Sequence, residues 1–178
     1  GKVDVVGFDR PGDPFQAERS VGLKIQRLRL DRTEHRRAAA LEPVGVGLLA
    51  DYAKRADFAS MKAGDVLVLV GATVGELGAS MYLREILGRE DGAPPPVDLA
   101  VERRAGDLIR GLIQAGHLRT VHDLSDGALI AAAAEMALAS KVGLALNNPG
   151  ETADHGFFFG EDQARYLVAV AHDDLEAL

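Results

Sequence analysis

Cysteine is absent from the 178-residue sequence, as are a membrane-length apolar segment and a charged-then-apolar leader. The missing thiols exclude disulfides, thiolate metal sites and cysteine nucleophiles. The missing apolar segments predict a soluble, unprocessed protein, for which the cytoplasm is the default location, with no membrane partner. No metal site is predicted, since His117, His155 and His172 do not have metal-ligand spacing.

Charge is unevenly distributed along the chain, whose net charge is −7. Residues 1–40 carry nine Lys and Arg against six acids, whereas residues 41–178 carry eleven against twenty-one. This shift predicts a boundary between a divergent N-terminal segment, 1–40, and a domain, 41–178. The basic run from Arg19 to Arg37 belongs to no recognisable nucleic-acid-binding module, so we interpret it as a solvated face and expect no nucleic-acid partner.

Hydrophobic patterning predicts the first elements of the domain. Val66–Val70 is an uninterrupted apolar run typical of a fully buried strand, and "SMYLREILG" predicts a helix that ends at Gly88. Asp98 is the expected cap of the next helix, which ends near Gly116. Five apolar residues share one face of that helix: Val101, Ala105, Leu108, Ile109 and Leu112.

The second half of the domain continues the mixture of strands and helices. The segment "LRTVHD" predicts a short strand, and the alanine-rich "ALIAAAAEMALAS" predicts a buried helix. A strand at "VGLAL", a loop at "NNPGETADHG" and an alternating strand at "ARYLVAVA" follow, and "HDDLEAL" resembles the start of a helix. This order predicts an α/β or α+β layered domain.

The stretch "VGATVGELGAS", Val70–Ser80, is the first of three junctions between a strand and a helix or turn. Gly71 and Gly78 let the backbone approach a phosphate closely, and amides at a helix start attract anions; Ser80 is placed as a hydroxyl donor or cap. Glu76 would repel phosphate unless Mg²⁺ or an arginine intervened, so it is also a candidate to cap amides within the loop. A tight turn without a ligand is the alternative interpretation.

The second junction is "HDLSDG". Ser125 or Asp126 is expected to cap the alanine-rich helix, and Gly127 completes a turn that is a second candidate for phosphate. His122 and Asp123 stand at the end of a strand. Two readings are open for this pair: acid–base chemistry, or a core histidine held by a local carboxylate.

Four segments, in register over roughly 130 residues, resemble one protein family. They are "GATVGELGASMYLREILG", "PPPVDLAVERRAGDLIRGLIQAG", "VHDLSDGALIAAAAEMALA" and "FFFGEDQARYLVAV". Together they resemble the large subunit of phosphoribosylformylglycinamidine synthase, in particular the second C-terminal-type domain of its duplicated architecture.

The resemblance implies a fold and an activity. The fold is that of the C-terminal domain of aminoimidazole ribonucleotide synthetase-type enzymes. The activity is the ATP- and Mg²⁺-dependent conversion of formylglycinamide ribonucleotide to the amidine in purine biosynthesis, with ammonia derived from glutamine. A glutaminase subunit and a small bridging subunit are the implied partners. ATP and Mg²⁺ are expected to bind mainly to parts of the family's protein absent from this chain, which we expect to be inactive alone.

The third junction, "GEDQARY", gains a hypothesis from the resemblance. Glu161, Asp162 and Gln163 are similar to a Glu-Ser-Gln element that meets substrate in the family's first duplicated domain. The alternative is that Glu161 caps the following turn. Three arginines could each hold a phosphate, but we interpret them as surface residues: Arg84, Arg119 and Arg165.

The sequence also departs from the family pattern. Ala79 and Ala128 stand where the family has paired glycines. The added methyl group matters if the turn needs a positive φ or a close approach of a ligand, whereas alanine at the first helical position would be harmless. "LKIQRLRLDRTEH" stands where the family has a Gly-Asn-Val-Ser element. Residues 1–40 are therefore either a divergent strand and linker or the family's upstream segment read in a shifted frame. We expect the domain to be incomplete at its C-terminus.

Two other functions fit the same residues. One is a different ATP-using synthetase or kinase of the same superfamily, such as the selenophosphate or thiamine-phosphate enzymes. The other is a non-catalytic interaction domain.

Overall fold

The computed structural model describes residues 3–7, 48–49 and 51–177 of the chain, with side chains described for 48–49 and 51–175. The segment "LKIQRLRLDRTEH" lies outside the described residues. The proposed division of the chain at residue 40 therefore stays a prediction.

Four antiparallel strands form one sheet in the order β1-β2-β4-β3. Their bounds are β1 Val3–Gly7, β2 Asp65–Val70, β3 Thr120–Asp123 and β4 Tyr166–Ala171. β2 and β4 are the central pair, with Leu67 opposite Ala169. The strands predicted at β2 and β3 are confirmed, and β1 is a strand that we did not predict.

Helices cover both faces of the sheet, which makes the domain three layers. The bounds are α1 Leu99–Ala115, α2 Ala128–Ser140 and α3 Asp154–Phe159. Leu67 and Leu69 of β2 pack with residues of α2 and α3, whereas Val66 and Val68 pack with Ile109 of α1. Because both faces are covered, β4 is buried at four successive residues rather than alternately, which corrects our prediction for that strand.

α1 has the ends that the sequence predicted. The Asp98 carboxylate accepts hydrogen bonds from the amides of Ala100 and Val101, and Gly116 ends the helix with a φ of 84°. Four of the five residues predicted for the buried face are buried or half-buried, and Leu108 is the exception. Ile109 is 5% exposed, but Leu108 is 51% exposed, because Leu112 and Ile113 complete the stripe that meets the sheet.

α2 is buried on the side that faces the sheet, as predicted, with Leu129, Ala133 and Met136 fully enclosed. Its opposite side is open to solvent. Leu138 is 78% exposed there, so the helix is not buried all round.

The prediction was wrong between α2 and β4. No strand forms at residues 142–146; Val142, Leu144 and Leu146 pack against the core alternately without pairing to any described strand. α3 begins at Asp154, within the predicted loop at residues 147–156, and continues beyond it; its Phe157 is 2% exposed.

Two predicted helical segments form tighter or wider helices than α. Residues Tyr82–Ile86 form a π-helical turn that ends before Gly88, and His172–Ala177 form a 3₁₀ helix. In the described part of the chain, no helix combines the length and apolar character needed to span a bilayer.

Candidate functional site

The glycines of the first junction lie against the chain's own backbone. Gly71 has a φ of 108°, and a Cβ atom there would lie 2.7 Å from the carbonyl oxygen of Ala164. A Cβ atom on Gly75, whose φ is 88°, would lie 3.1 Å from the Cα atom of Gly156 in α3. These glycines therefore allow the first junction to touch the third junction and α3.

The Asp162 side chain occupies the amides of the first junction. Its Oδ2 atom accepts hydrogen bonds from the amides of Val74 at 3.1 Å and Gly75 at 3.0 Å. Its Oδ1 atom accepts from the amide of Glu76 at 3.1 Å. Asp162 is only 5% exposed, so the carboxylate is enclosed with these three donors. The loop amides that we assigned to Glu76 as a cap are capped by Asp162 instead.

Glu161 joins all three junctions. Its Oε1 atom accepts from the amide of Met81, directly after the first junction, and from the amide of Gly127 in the second, both at 2.9 Å. Its own amide donates to the carbonyl oxygen of Glu76 at 2.8 Å. Glu161 was expected to cap the turn that follows it, but it caps amides in or directly after the two other junctions.

Arg165 is buried next to Asp162. It is 1% exposed, so the prediction that it is a surface residue was wrong. Its Nη1 atom lies 3.6 Å from Asp162 Oδ2 and donates to Thr73 Oγ1, and Nη2 donates to the carbonyl oxygen of Gly160. Burial lowers the pKa of the guanidinium from its ordinary value, and the Asp162 charge opposes that shift. Arg165 therefore depends on Asp162 for its countercharge.

The other two arginines do lie at the surface, as predicted. Arg84 is exposed and pairs with Glu85 at 2.7 Å, which raises the pKa of the guanidinium above its ordinary value. Arg119 is exposed and donates to the carbonyl oxygen of Ala53 at 2.9 Å.

Ser80 has the capping role that the sequence suggested. It is 2% exposed, and its hydroxyl accepts a hydrogen bond from the amide of Leu83 at 3.3 Å. The cap predicted for α2 was wrong. Gly127 occupies the N-cap position with a φ of 77° and, having no side chain, provides no side-chain cap. Its amide donates to Glu161, and Ser125 and Asp126 are exposed.

Three alanines in or next to the junctions have the positive φ that normally selects glycine. The angles are 55° at Ala79, 52° at Ala128 and 58° at Ala164. A methyl group at Ala79 or Ala128 was expected to matter if the turn needed a positive φ, and both residues have one. Ala128 is the first residue of α2, where alanine was expected to be harmless, so that expectation was wrong. One strained alanine therefore lies in the first junction, one directly after the second and one in the third.

His122 is a buried histidine held by a carboxylate. It is 6% exposed, and its Nε2 atom lies 2.7 Å from Glu135 Oε2 of α2. The Nδ1 atom lies 2.6 Å from the carbonyl oxygen of Asp123, whose carboxylate is farther away at 3.6 Å. The prediction of a held core histidine is confirmed, although Glu135 holds it more closely than the adjacent Asp123.

The structure thus brings the three predicted junctions into one cluster. Five of the ten candidate residues contact or hydrogen-bond to another junction: Gly71, Glu76, Gly127, Glu161 and Asp162. Gly78 and Ser80 contact residues outside the three junctions, Ala93 and Leu83. Gln163 is exposed and donates to the carbonyl oxygen of Glu161 at 3.2 Å. Contact of any of the ten residues with a ligand stays a prediction.

Sequence reasoning missed Glu102 of α1 as a member of this cluster. Its Oε1 atom accepts from the amide of Ala164 at 2.8 Å and so ties α1 to the third junction. Glu102 stands in the first turn of α1, where an acid is expected for the helix dipole alone, so its second role leaves no local signal.

Two cavities open near these elements. One of about 130 Å³ is lined by Gly71, Ala72 and Thr73 and by residues of the loop before α3. A larger one of about 660 Å³ lies between residues 48–49 and 51–56 on one side and the C-terminal half of α1 on the other, and it shares no lining residue with the three junctions.

A family profile matches most of the domain. The family described as AIR synthase related protein, C-terminal domain, matches residues 62–178. The chain belongs to this family. The predicted fold class, a layered domain like that of aminoimidazole ribonucleotide synthetase-type enzymes, is therefore confirmed.

Curated relatives within this family are longer proteins. The chain is 63% identical over 130 residues to phosphoribosylformylglycinamidine synthase subunit PurL of Caulobacter vibrioides. This alignment covers 73% of the chain and 18% of the relative. It is 56% identical over 135 residues to the same subunit of Rhodopseudomonas palustris strain TIE-1, and this alignment covers 75% of the chain and 18% of the relative. The resemblance seen in the sequence is confirmed, and the chain matches about a fifth of the length of these relatives.

Solved structures share the domain's fold. The PurL of T. maritima complexed with FGAR superposes with a TM-score of 0.58 at 20% identity, over 71% of this chain and 23% of that one. The same protein complexed with ATP superposes with a TM-score of 0.52 at 16% identity, over 71% of this chain and 20% of that one. PurLQS from T. maritima superposes with a TM-score of 0.50 at 18% identity, over 71% of this chain and 21% of that one. At these identities the likeness shows the fold alone.

Proposed function

We propose that this family domain works as part of a phosphoribosylformylglycinamidine synthase subunit. The reaction is the ATP-dependent amidation of formylglycinamide ribonucleotide in purine biosynthesis, in the cytoplasm. The observation that carries the proposal is the 63% identity to the PurL subunit of C. vibrioides over 130 residues. The matched stretch includes most of the layered domain, so the proposal concerns an integral domain of the enzyme.

Within that enzyme, the proposed chemistry is a phosphorylation followed by an amination. ATP activates the formyl amide oxygen of the substrate, and ammonia derived from glutamine displaces the phosphate. A glutaminase subunit would supply the ammonia, and a small bridging subunit would join it to the synthetase. The PurLQS assembly of T. maritima, which contains a similar fold, supports the proposal of partners.

The described residues do not fit a binding site for Mg-ATP. No group of three or more His, Cys, Asp or Glu that could hold a metal ion occurs in the part of the chain that the structure describes. The amides of residues 74–76, the best anion donors in the first junction, are already bonded to Asp162. The proposal therefore assigns ATP and Mg²⁺ mainly to parts of the enzyme outside this chain.

Substrate contact by this domain is proposed for the outer rim of the junction cluster. Ser125, Asp126 and Gln163 have exposed side chains there, whereas Asp162 and Ser80 are enclosed. An exposed hydroxyl, carboxylate and amide can donate to or accept from the hydroxyl and amide groups of a ribonucleotide. Glu161 is bonded on both sides of this rim: its carboxylate accepts from the amide of Gly127, the residue after Asp126, and its carbonyl oxygen accepts from the side chain of Gln163.

A domain exchange tests the proposed function. Residues 62–178 replace the matching segment of the C. vibrioides PurL subunit, and the exchanged enzyme is assayed for ADP release that depends on formylglycinamide ribonucleotide. We expect activity with its glutaminase and bridging partners, and none from the 178-residue chain alone. The same exchange with the R. palustris segment is the control for the graft. If that control is active while a folded exchange with this chain is not, the proposed function is wrong.

The rim is tested in the same exchanged enzyme. Gln163→Ala is expected to raise KM for formylglycinamide ribonucleotide with little change in kcat, because the lost contact would be made equally in the ground and transition states. Lys141→Ala, at the far end of α2, is the control. Unchanged KM values for Ala variants of Ser125, Asp126 and Gln163 would remove the rim from the proposal.

A further inference from the structure

The Asp162 carboxylate lies in a concave cradle of donors. Three successive amides, of Val74, Gly75 and Glu76, point at its two oxygens from 3.0 to 3.1 Å. The Arg165 guanidinium faces the same carboxylate from 3.6 Å. Successive amides that converge in this way form a site for an anion, and Gly75 brings them close because it has no side chain.

The charge of the cradle requires an anion rather than any acceptor. Arg165 is 1% exposed, and Asp162 is the acid with which it forms an ion pair among the described residues. Its other described partners are the neutral oxygens of Thr73, Gly160 and the Asp162 backbone. Without the carboxylate, the buried Arg165 cation would have only neutral acceptors, and the three part-buried amides would lose the acceptor that they share.

We propose that the first junction is a binding site for a small oxyanion, and that its resident anion in this protein is the chain's own Asp162 carboxylate. The ligand class is a carboxylate of formate size, or an oxyanion that presents two oxygens in one plane to amides 74–76. A phosphate from solution, or one belonging to a nucleotide, cannot reach these amides while Asp162 holds them. This goes beyond the proposed function, since it holds for the chain alone.

Chemical rescue tests the proposal in the 178-residue chain. Asp162→Ala keeps the Cβ atom and removes a group of the size of formate, so formate is the probe. We expect the variant to lose thermal stability and formate to raise its Tm by several degrees, with saturation. Sodium chloride at equal ionic strength should not do so. The wild-type chain and Asp126→Ala, which removes an exposed carboxylate in the second junction, should show no such rise.

Two results would overturn the proposal. One is a formate response of Asp162→Ala no larger than the chloride response. The other comes from the wild-type chain by NMR: we expect the amide resonances of Val74, Gly75 and Glu76 to stay in place when inorganic phosphate or formate is added. Saturable movement of these three resonances would show that Asp162 does not hold the site.

A variant that fails to fold is also informative. If Asp162→Ala is unfolded in buffer, formate is expected to restore its folded amide spectrum while chloride does not. Asp162→Asn, which keeps the size of the side chain but not its charge, is expected to be destabilised and not rescued by formate, because the carboxamide fills the cradle. Rescue of Asp162→Asn to the same degree would mean that formate acts elsewhere.

Discussion

A Cβ atom on Gly78 would overlap the carbonyl oxygen of Ala93, so the first junction meets the proline-rich loop at residues 89–98, "REDGAPPPVD", backbone to backbone. The contact continues at the next residue, where the amide of Ala79 donates to the carbonyl oxygen of Asp91 at 3.1 Å. Arg89 shapes this loop by binding the Asp91 carboxylate through two nitrogens, at 2.8 and 2.6 Å. A side chain at position 78 would therefore separate the two segments.

Gly78→Ala is expected to destabilise the chain by about 1 to 3 kcal/mol, because the added methyl group must push the loop away. Gly111→Ala makes the same chemical change in the interior of α1, where a Cβ atom would meet nothing within 4 Å. That control is expected to stabilise the chain by about 1 kcal/mol through helix propensity. Urea unfolding measures both. A neutral Gly78→Ala would contradict the close approach of the loop.

Ala79→Gly is expected to stabilise the chain. Ala79 is exposed and has a φ of 55°, so the change relieves backbone strain without loss of buried area. The strain outweighs the added freedom of the unfolded chain by about 0.5 to 1 kcal/mol. At this chain length the gain corresponds to a Tm rise of about 1 to 4 °C.

Ala134→Gly is the matched control for that variant. Ala134 is also exposed, but it lies in the interior of α2, where glycine is expected to cost about 1 kcal/mol. Equal destabilisation by the two changes would show that Ala79 is not strained.

Tyr166 should make folding sensitive to alkaline pH. Burial raises the pKa of its phenol above the ordinary value of 10.0, with further increases from Glu102 and Asp123. In the unfolded chain the phenol ionises near pH 10, whereas the folded chain keeps it neutral, so this contribution is complete below pH 10 and is lost as pH rises through the folded pKa. Tyr166→Phe is expected to reduce the loss of stability in that range.

Ultraviolet titration of the wild type and of Tyr166→Phe checks this directly, because their difference isolates one phenol among three tyrosines. A difference curve centred at or below the ordinary value would contradict the raised pKa.

The gene sequence should explain residues 1–40. We expect one of the other two reading frames over these codons to encode a strand with a Gly-Asn-Val-Ser-like element, because the present residues are rich in arginine and poorly periodic. Translation of the three frames of the cloned gene is the measurement. If neither frame contains such an element, the segment is a divergent strand and linker.

Signals local to an element predicted the fold well, whereas features set by distant partners were missed. Asp98 and Gly116 mark both ends of α1 because caps act within one turn. The choice of Ile109 over Leu108 as a buried residue depends on where the sheet meets the helix, which no local pattern records. Apolar residues alternate toward the core at 142–146, as in a strand. A strand also needs a neighbouring strand with an unpaired edge, which a local sequence pattern does not identify.

For the candidate site as well, the local features were predicted and the distant partner was not. The sequence identified the donors, since glycines after a strand reveal amides that need acceptors. It did not identify the acceptor, because Asp162 lies 86 to 88 residues from the amides that it binds. Arg165 was predicted to be a surface residue because a charged side chain is rarely buried without a partner. Its ion pair with the nearby Asp162 offsets the free-energy cost of burying the charge.

The sheet order has a consequence for how the protein is made. β4 is the last strand in the chain, yet it lies between β2 and β3. While a ribosome is still translating α3, the inner edges of β2 and β3 have no strand to pair with, and Leu67 and Leu69 lack the neighbour that later covers them. The domain cannot fold stepwise from its N-terminus, so a ribosome that stalls before residue 166 holds a chain with open strand edges, a target for chaperones and for aggregation.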